Sequence, residues 1–211
     1  KAVPSFSRHT KHRLSLLRRC FCFSRVHSTA FARISEWFSS NQPGCFSMNL
    51  YRLLTARAHA GNPVRIGQIG AGKFGTMFLA QARLTPGMHV VGLADLAPDR
   101  ARQRLNGIGW PDEQLSATSV SDAVATGKTC VTENALAVVT HPAVEVVIEA
   151  TGDPATGVRL CLEAIRHGKH VVMVNVEADA LAGPRLAKRA RDAGVVYSLA
   201  WGDQPALIAE Q

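Results

Sequence analysis

The sequence predicts an α/β protein with a doubly wound, mostly parallel sheet in a single domain. From residue 64 onward, short apolar runs of strand length alternate with stretches that carry apolar residues at helical spacing. A Gly-x-Gly-x-x-Gly segment follows the first of those runs and precedes the first helical stretch. Alternation of this kind puts helices on both faces of a parallel sheet, because crossover connections are right-handed.

Six apolar runs are predicted to form the strands. The first is short and rich in β-branched residues, and the fourth is almost continuously apolar, which is typical of a strand buried on both faces. The predicted strands are Val64–Ile69, His89–Ala94, Thr129–Thr132, Val144–Ala150, His170–Val174 and Val195–Leu199.

Helical spacing and turn residues place the helices between these strands. The first helix runs from Phe74 past Gln81 and ends at Thr85-Pro86-Gly87, and the second opens at Pro98 and ends near Gly107 or Gly109. Short helices are predicted at Ser121–Thr126 and Asn134–Val139. Two longer ones carry the apolar sets Val158, Cys161, Leu162, Ile165 and Leu186, Ala187, Ala190, and end at Gly168 and Gly194.

The net charge of +8 is concentrated at the amino end. Residues 1–47 hold eight of the 24 basic residues but one of the 16 acidic residues, so residues 48–211 are nearly neutral. A nearly neutral domain argues against a nucleic-acid partner. Binding of nucleic acid through the basic arm stays open as a hypothesis, and it requires residues 1–47 to be present in the mature protein.

Residues 1–47 are predicted to be a disordered extension of the domain. They are rich in Ser and Arg and show no sustained periodicity. Two interpretations are open: an organelle transit peptide, or translated upstream sequence. The start at Lys1 and the position of Met48, shortly before the first strand, favour upstream sequence.

Cysteine usage and hydropathy indicate a cytoplasmic protein. The five cysteines form no Cys-x-x-Cys pair and no Cys/His set with metal-ligand spacing, so we predict no metal site. Cys130 is expected in a strand and Cys161 in a helix core, and nothing suggests a disulfide framework. No apolar run reaches the roughly 18–20 residues that a membrane span needs, so we expect no membrane partner.

The glycine-rich segment predicts a Rossmann dinucleotide site. Its residues are Gly70, Ala71, Gly72, Lys73, Phe74 and Gly75. The first glycine permits a tight turn, the second lets a diphosphate approach the backbone, and the third lets the helix pack on the strand. The helix N-terminus then offers free N–H groups to the phosphates. The cofactor predicted is therefore NAD or NADP.

Asp95 follows the second strand, 20 residues after Gly75. A carboxylate there can bind the ribose hydroxyls and repels a 2′-phosphate, which favours NAD; its alternative role is the N-cap of the next helix. Arg100 and Arg102 could accommodate the phosphate of NADP instead, or form a solvated helix face.

Polar residues after the fourth and fifth strands are expected to complete the site, since ligands lie beyond the carboxyl ends of such strands. Thr151 and Gly152 should lie by the nicotinamide ribose or the diphosphate, whereas Asp153 is at least equally suited to cap a helix. Asn175 should lie near the nicotinamide. Glu177 is either close to the substrate or the capping acid of the next helix.

Residues 64–211 resemble the nucleotide-binding domain of homoserine dehydrogenase-like NAD(P)-dependent oxidoreductases. The resemblance is strongest to the deoxyxylulose-phosphate reductoisomerase-like branch, whose full chains add a catalytic domain and a SAF domain. The residues that carry it are Ile69–Gly75, Glu149–Gly152, Gly168–Val172 and Tyr197–Pro205. Family members carry Asn-Lys after the fifth strand; here Val176 follows Asn175, so a mechanism that uses that lysine cannot be carried over.

The resemblance implies a domain plan and a function. Residues 48–63 would form a lead-in helix and linker, 64–201 the NAD(P)-binding domain, and 202–211 the start of a catalytic domain, so the chain is expected to be C-terminally truncated. The parent enzyme would transfer hydride between the nicotinamide and a small hydroxy or carbonyl substrate.

The main catalytic groups are expected after Gln211, and Glu177 and Asp203 are the weak candidates within the chain. The chain alone would then bind dinucleotide without turnover, and a homo-oligomer stays open for the whole protein. The alternative hypothesis is a non-enzymatic dinucleotide-sensing module.

Overall fold

The computed structural model describes residues 49–200. Its helices are α1 Leu50–His59, α2 Lys73–Ala82, α3 Pro98–Gly107, α4 Val120–Thr126, α5 Ala135–Val139, α6 Pro154–Arg166 and α7 Val176–Asp192. Its strands are β1 Val64–Ile69, β2 Met88–Ala94, β3 Cys130–Thr132, β4 Val146–Glu149, β5 His170–Met173 and β6 Tyr197–Leu199. A 3₁₀ helix, Asp112–Leu115, lies between α3 and α4.

The six strands form one parallel sheet in the order β3-β2-β1-β4-β5-β6. β1 pairs with β2 on one side and with β4 on the other, so the direction of winding reverses between β1 and β4. This order confirms the predicted doubly wound α/β fold. In open parallel sheets, ligands bind in the crevice beyond the carboxyl ends of the strands at such a reversal.

The helices form a layer on each face of the sheet. On one face α2 and α3 pack against the sheet through buried residues such as Leu79 and Leu105. On the other face α4 to α7 pack through residues such as Val138, Leu160 and Leu186. Both predicted cysteine positions are confirmed: Cys130 lies in β3, Cys161 lies in α6, and both are buried free thiols.

Two strand glycines let α5 lie directly on the sheet. A Cβ on Gly67 would be 2.7 Å from Cγ1 of Val138, and one on Gly92 would be 3.0 Å from the same atom. Val138 is fully buried at this contact. A side chain at either glycine would push α5 outward and open the core on that face, because protein interiors leave little free volume.

Helix α7 is longer than the apolar pattern predicted. The pattern marked the region from Leu186 to Ala190, whereas α7 begins at Val176 and contains Pro184. Proline lacks an N–H group, so the carbonyl of Ala180 loses its helical donor. Ala180 is exposed, and water can hydrate that carbonyl. The predicted β1 has the observed ends, and the ends of the other predicted strands differ from the observed ones by at most two residues.

Helix α1 packs against the amino ends of the strands. A Cβ on Gly87 would lie 2.0 Å from the carbonyl oxygen of Leu54 in α1. Arg57 forms an ion pair of 2.8 Å with Glu145, which precedes β4. Close backbone packing and one partly exposed ion pair therefore hold α1 to the domain.

Part of one sheet face carries no helix within the described residues. A groove of about 490 Å³ lies over Val146, Val172 and Val174, with Phe74 and Met77 of α2 along one side. Phe74 is 50% exposed and Met77 is 58% exposed. Central strands of a parallel sheet are normally covered on both faces, so this part of the sheet is unusually open. Among residues 49–200, no helix has the length and apolarity to cross a membrane.

Candidate cofactor site

The turn between β1 and α2 is built from three glycines with different roles. Gly70 has a φ of +94°, and a Cβ there would lie 2.4 Å from the carbonyl oxygen of Ala150 at the end of β4. Gly75 is buried in α2, and its Cβ would lie 2.4 Å from both the carbonyl oxygen of Gly70 and Nε2 of Gln68. Only glycine therefore fits at these two positions, because protein atoms already fill the space that a side chain would need.

Gly72 differs from the other two glycines because nothing fills the space beside it. It is the N-cap of α2, with φ −66° and ψ −170°, and a Cβ there would meet no atom of the described chain within 4 Å. The N–H groups of Gly72, Lys73 and Phe74 have no hydrogen-bond acceptor among residues 49–200. A bare backbone with free N–H groups at a helix N-terminus can bind a diphosphate.

Asp95 stands at the end of β2 and joins that strand to the glycine turn. Its Oδ2 accepts a hydrogen bond of 2.8 Å from the Ala71 N–H, and its Oδ1 accepts one of 2.9 Å from the Ala97 N–H. The N-cap of α3 is Ala97, so Asp95 is not itself the capping residue. A carboxylate offers about four acceptor positions, so two remain for hydroxyl groups of a ligand.

A crevice of about 420 Å³ opens between the carboxyl ends of β1, β2 and β4. Gly70 and Asp95 line one side, and Thr151 and Arg159 line the other. Leu96 also borders it and is 97% exposed, which gives the crevice an apolar surface next to Asp95. The crevice contains the polar groups that a dinucleotide needs and an apolar surface for its base, so the residues present fit the cofactor.

The segment after β4 forms a tight turn. Gly152 has a φ of +75°, and the Thr151 N–H donates to Oε1 of Glu149 over 3.0 Å. Asp153 is the N-cap of α6, accepting a hydrogen bond of 2.7 Å from the Thr156 N–H. That hydrogen bond lowers the pKa of Asp153. The capping role weighed for Asp153 is confirmed.

Asn175 is buried and its side chain is already engaged. Its Oδ1 accepts from the Ala178 N–H over 3.0 Å, which caps α7, and its Nδ2 donates to the Asp153 carbonyl over 3.0 Å. Asn175 therefore holds the Thr151–Asp153 turn against the start of α7. Glu177 is exposed in the first turn of α7, and the capping role weighed for it belongs to Asn175. Asp203 lies outside the described residues.

Glu149 is a buried acid behind the crevice. Its side chain is fully buried, and its Oε2 has no hydrogen-bond partner among residues 49–200. Burial raises the pKa of Glu149 above its ordinary value of 4.5, against the opposing hydrogen bond from Thr151. Gly157 makes room for this carboxyl, since a Cβ there would lie 2.8 Å from Oε2.

The raised pKa of Glu149 makes stability depend on pH. The folded chain holds the proton more tightly than the unfolded chain, so the free energy of unfolding falls as pH rises above 4.5 and through the raised pKa. Glu149→Gln should remove that decline and stabilise the protein at mildly alkaline pH by roughly 1–3 kcal/mol, the cost of an unsatisfied buried group. Urea unfolding of both proteins across this pH range measures the effect. Glu113→Gln, at an exposed position, is the control. If the parent chain, Glu149→Gln and Glu113→Gln show the same dependence of stability on pH, Glu149 is not the source of that dependence.

The arginines of α3 differ in what they contact. Arg102 points away from the turn and donates to the carbonyl oxygens of Leu115 and Val131. Arg100 is exposed and makes no hydrogen bond among residues 49–200. Arg104 donates to the Ala71 carbonyl oxygen over 2.7 Å, a contact that the sequence analysis missed. The arginine that reaches the glycine turn is therefore Arg104, whereas Arg100 and Arg102 were considered only for the 2′-phosphate of NADP or a solvated helix face.

Comparison with known proteins places this geometry in a class and then in a family. Its fold and its glycine turn are those of a dinucleotide-binding Rossmann domain. Residues 67–199 match the family described as "Homoserine dehydrogenase, NAD binding domain". Because the match covers more than half of the chain, the protein belongs to that family.

Several homoserine dehydrogenases are similar to this chain. The enzyme of Pseudomonas aeruginosa is 33% identical over 95 residues, which are 45% of this chain and 22% of that protein. The enzyme of Methylobacillus glycogenes is 44% identical over 52 residues, 25% of this chain and 13% of that protein. The crystal structure of the Thiobacillus denitrificans enzyme superposes with a TM-score of 0.51 and 25% identity, over 65% of this chain and 29% of that one.

These comparisons establish the cofactor class. The matches span 22% and 13% of the length of the two homoserine dehydrogenases compared by sequence. Residues 67–199 are thus an NAD-binding domain of the homoserine dehydrogenase type, and the cofactor is NAD or NADP.

Proposed function

We propose that residues 64–200 bind NAD at the crevice beyond β1, β2 and β4, and hold it for hydride transfer to or from a small hydroxy or carbonyl substrate. The diphosphate lies against Gly70–Gly75 and the adenosine ribose against Asp95. Thr151 and Gly152 contact the nicotinamide half, and Asn175 holds their turn in place. The observation that carries the proposal is the open space beside the Gly72 backbone, together with the free N–H groups of Gly72, Lys73 and Phe74.

The bound nicotinamide would supply the hydride chemistry, and the chain supplies binding and orientation. Glu177 is exposed in α7, and the carboxylates of Asp95 and Asp153, which line the crevice, already accept hydrogen bonds from backbone N–H groups. We therefore expect the chain of 211 residues to bind the cofactor without turnover of homoserine. A fluorescence titration of the full chain with NADH and NADPH tests the proposal. Folded protein that binds neither nucleotide would refute it.

Asp95 should make the site prefer NADH to NADPH. Its carboxylate accepts hydrogen bonds from a ribose hydroxyl and repels a 2′-phosphate, and the neighbouring Arg102 is engaged elsewhere. Asp95→Asn should weaken NADH binding about tenfold, a change of about 1.4 kcal/mol, and reduce the preference over NADPH. Asp99→Asn removes the same charge from an exposed position on α3 and should change neither affinity. An unaltered preference in Asp95→Asn would contradict the ribose assignment.

A further inference from the structure

Both backbone groups of Ala71 are held by side chains from outside the glycine turn. Asp95 accepts from its N–H over 2.8 Å. Arg104 donates to its carbonyl oxygen over 2.7 Å. The Thr76 hydroxyl lies 3.2 Å from the same oxygen but has its shorter contact, of 2.8 Å, with the carbonyl oxygen of Gly72. Ala71 is fully buried, so its own side chain contributes nothing to a ligand. What these contacts fix is the orientation of its peptide groups.

The carbonyl of Ala71 and the N–H of Gly72 belong to one peptide unit. In a trans peptide the two point in opposite directions, so a donor that fixes the carbonyl also fixes the N–H. The Gly72 N–H has no acceptor among residues 49–200 and borders the open space beside Gly72. Arg104 therefore controls the direction of a free donor at the position proposed for the diphosphate.

Arg104 also brings a permanent positive charge to the turn. It lies in the last turn of α3, and its guanidinium reaches across to the start of α2. A guanidinium stays protonated at all physiological pH values and favours nearby phosphate groups. Arg100, one helical turn earlier, carries the same charge on an exposed side chain without this contact.

We propose that Arg104 is a positioning residue for the dinucleotide, which orients the Ala71–Gly72 peptide toward the diphosphate through its hydrogen bond to the Ala71 carbonyl. The inference rests on the proposed NAD site and deepens it. Helix α3, which lies outside the glycine motif, then contributes to diphosphate binding through Arg104.

The test is a set of titrations of the full chain with NADH, ADP and adenosine. Arg104→Met should weaken NADH and ADP about tenfold each and leave adenosine unchanged, because adenosine has no diphosphate. Arg104→Lys, which keeps a donor and the charge, should recover most of the lost affinity. Arg100→Met removes an equal charge from the same helix and should bind NADH like the parent chain. Thermal unfolding without ligand establishes that each variant is folded.

The outcomes separate this inference from the proposed function. If the parent chain binds NADH and folded Arg104→Met binds it equally well, Arg104 has no positioning role and the NAD site stands. If Arg100→Met weakens NADH binding as much as Arg104→Met does, a general charge effect explains the result and the inference is overturned. If Arg104→Met loses as much affinity for adenosine as for NADH, a disturbed fold explains the result and the inference is overturned as well. If the parent chain binds neither NADH nor NADPH, the proposed function itself fails.

Discussion

Gly72→Ala should lose most of its affinity for NADH while its stability stays close to that of the parent chain. The backbone of Gly72 has ordinary extended angles, and a Cβ would meet no protein atom, so the fold tolerates alanine. The same Cβ would occupy the space proposed for the diphosphate. Overpacking costs about 1–3 kcal/mol, which corresponds to roughly a tenfold to hundredfold weaker complex. NADH titration and urea unfolding measure the two effects.

Gly107→Ala is the matched control for Gly72→Ala. Gly107 is the last residue of α3, and its Cβ would likewise meet no atom within 4 Å. Alanine in a helix is favoured over glycine by about 0.5–1 kcal/mol, so this variant should be as stable as the parent or slightly more stable, with unchanged affinity. Equal NADH affinity in both variants would mean that no ligand approaches Gly72.

Gly70→Ala should produce the largest loss of stability. Its φ of +94° is unfavourable for any side chain, and the added Cβ would lie 2.4 Å from the carbonyl oxygen of Ala150. Neither clashing group can rotate away, because both belong to the backbone at the centre of the sheet. Backbone strain and steric overlap together should lower the free energy of unfolding by roughly 3 kcal/mol or more. Urea denaturation with an NADH titration of the remaining folded protein measures it.

Gly152→Ala separates the two causes of that loss. Gly152 also has a positive φ, of +75°, but a Cβ there meets no atom within 4 Å. It should cost only the conformational penalty, about 1 kcal/mol. A Gly70→Ala protein no less stable than Gly152→Ala would show that the turn can move away from β4, contrary to the tight packing described here.

The sheet and the glycine turn were predictable because local patterns specify them. Apolar runs and helical spacing predicted six strands whose ends differ from the observed ones by at most two residues. The glycine turn was predictable because Gly70, Gly72 and Gly75 lie within six residues of sequence, and each is required for a different steric reason. The apolar pattern alone did not place the start of α7, because such a pattern ignores caps, and a cap there was considered only for Glu177. Asn175, followed by the acids Glu177 and Asp179, was the available signal.

Contacts between distant residues were not predictable. Whether Arg100, Arg102 or Arg104 reaches the turn depends on how α3 is rotated over the sheet, and the sequence does not specify that rotation. The unpaired oxygen of Glu149 likewise follows from the packing of α6 against β4, since Gly157 and Asn175 close that space together. The place expected for Asn175, near the nicotinamide, stays a prediction, but the hydrogen bonds of its side chain to the backbone of Asp153 and Ala178 could not be foreseen.

The most direct test of the central claim is an NMR titration of the isotope-labelled full chain with NAD. The largest shifts should fall on the amides of Gly72, Lys73 and Phe74, with smaller ones at Asp95 and Thr151. If saturating NAD leaves these amides unchanged and shifts residues around Pro63 and Met88, where β1 and β2 begin, the glycine turn is not the dinucleotide site.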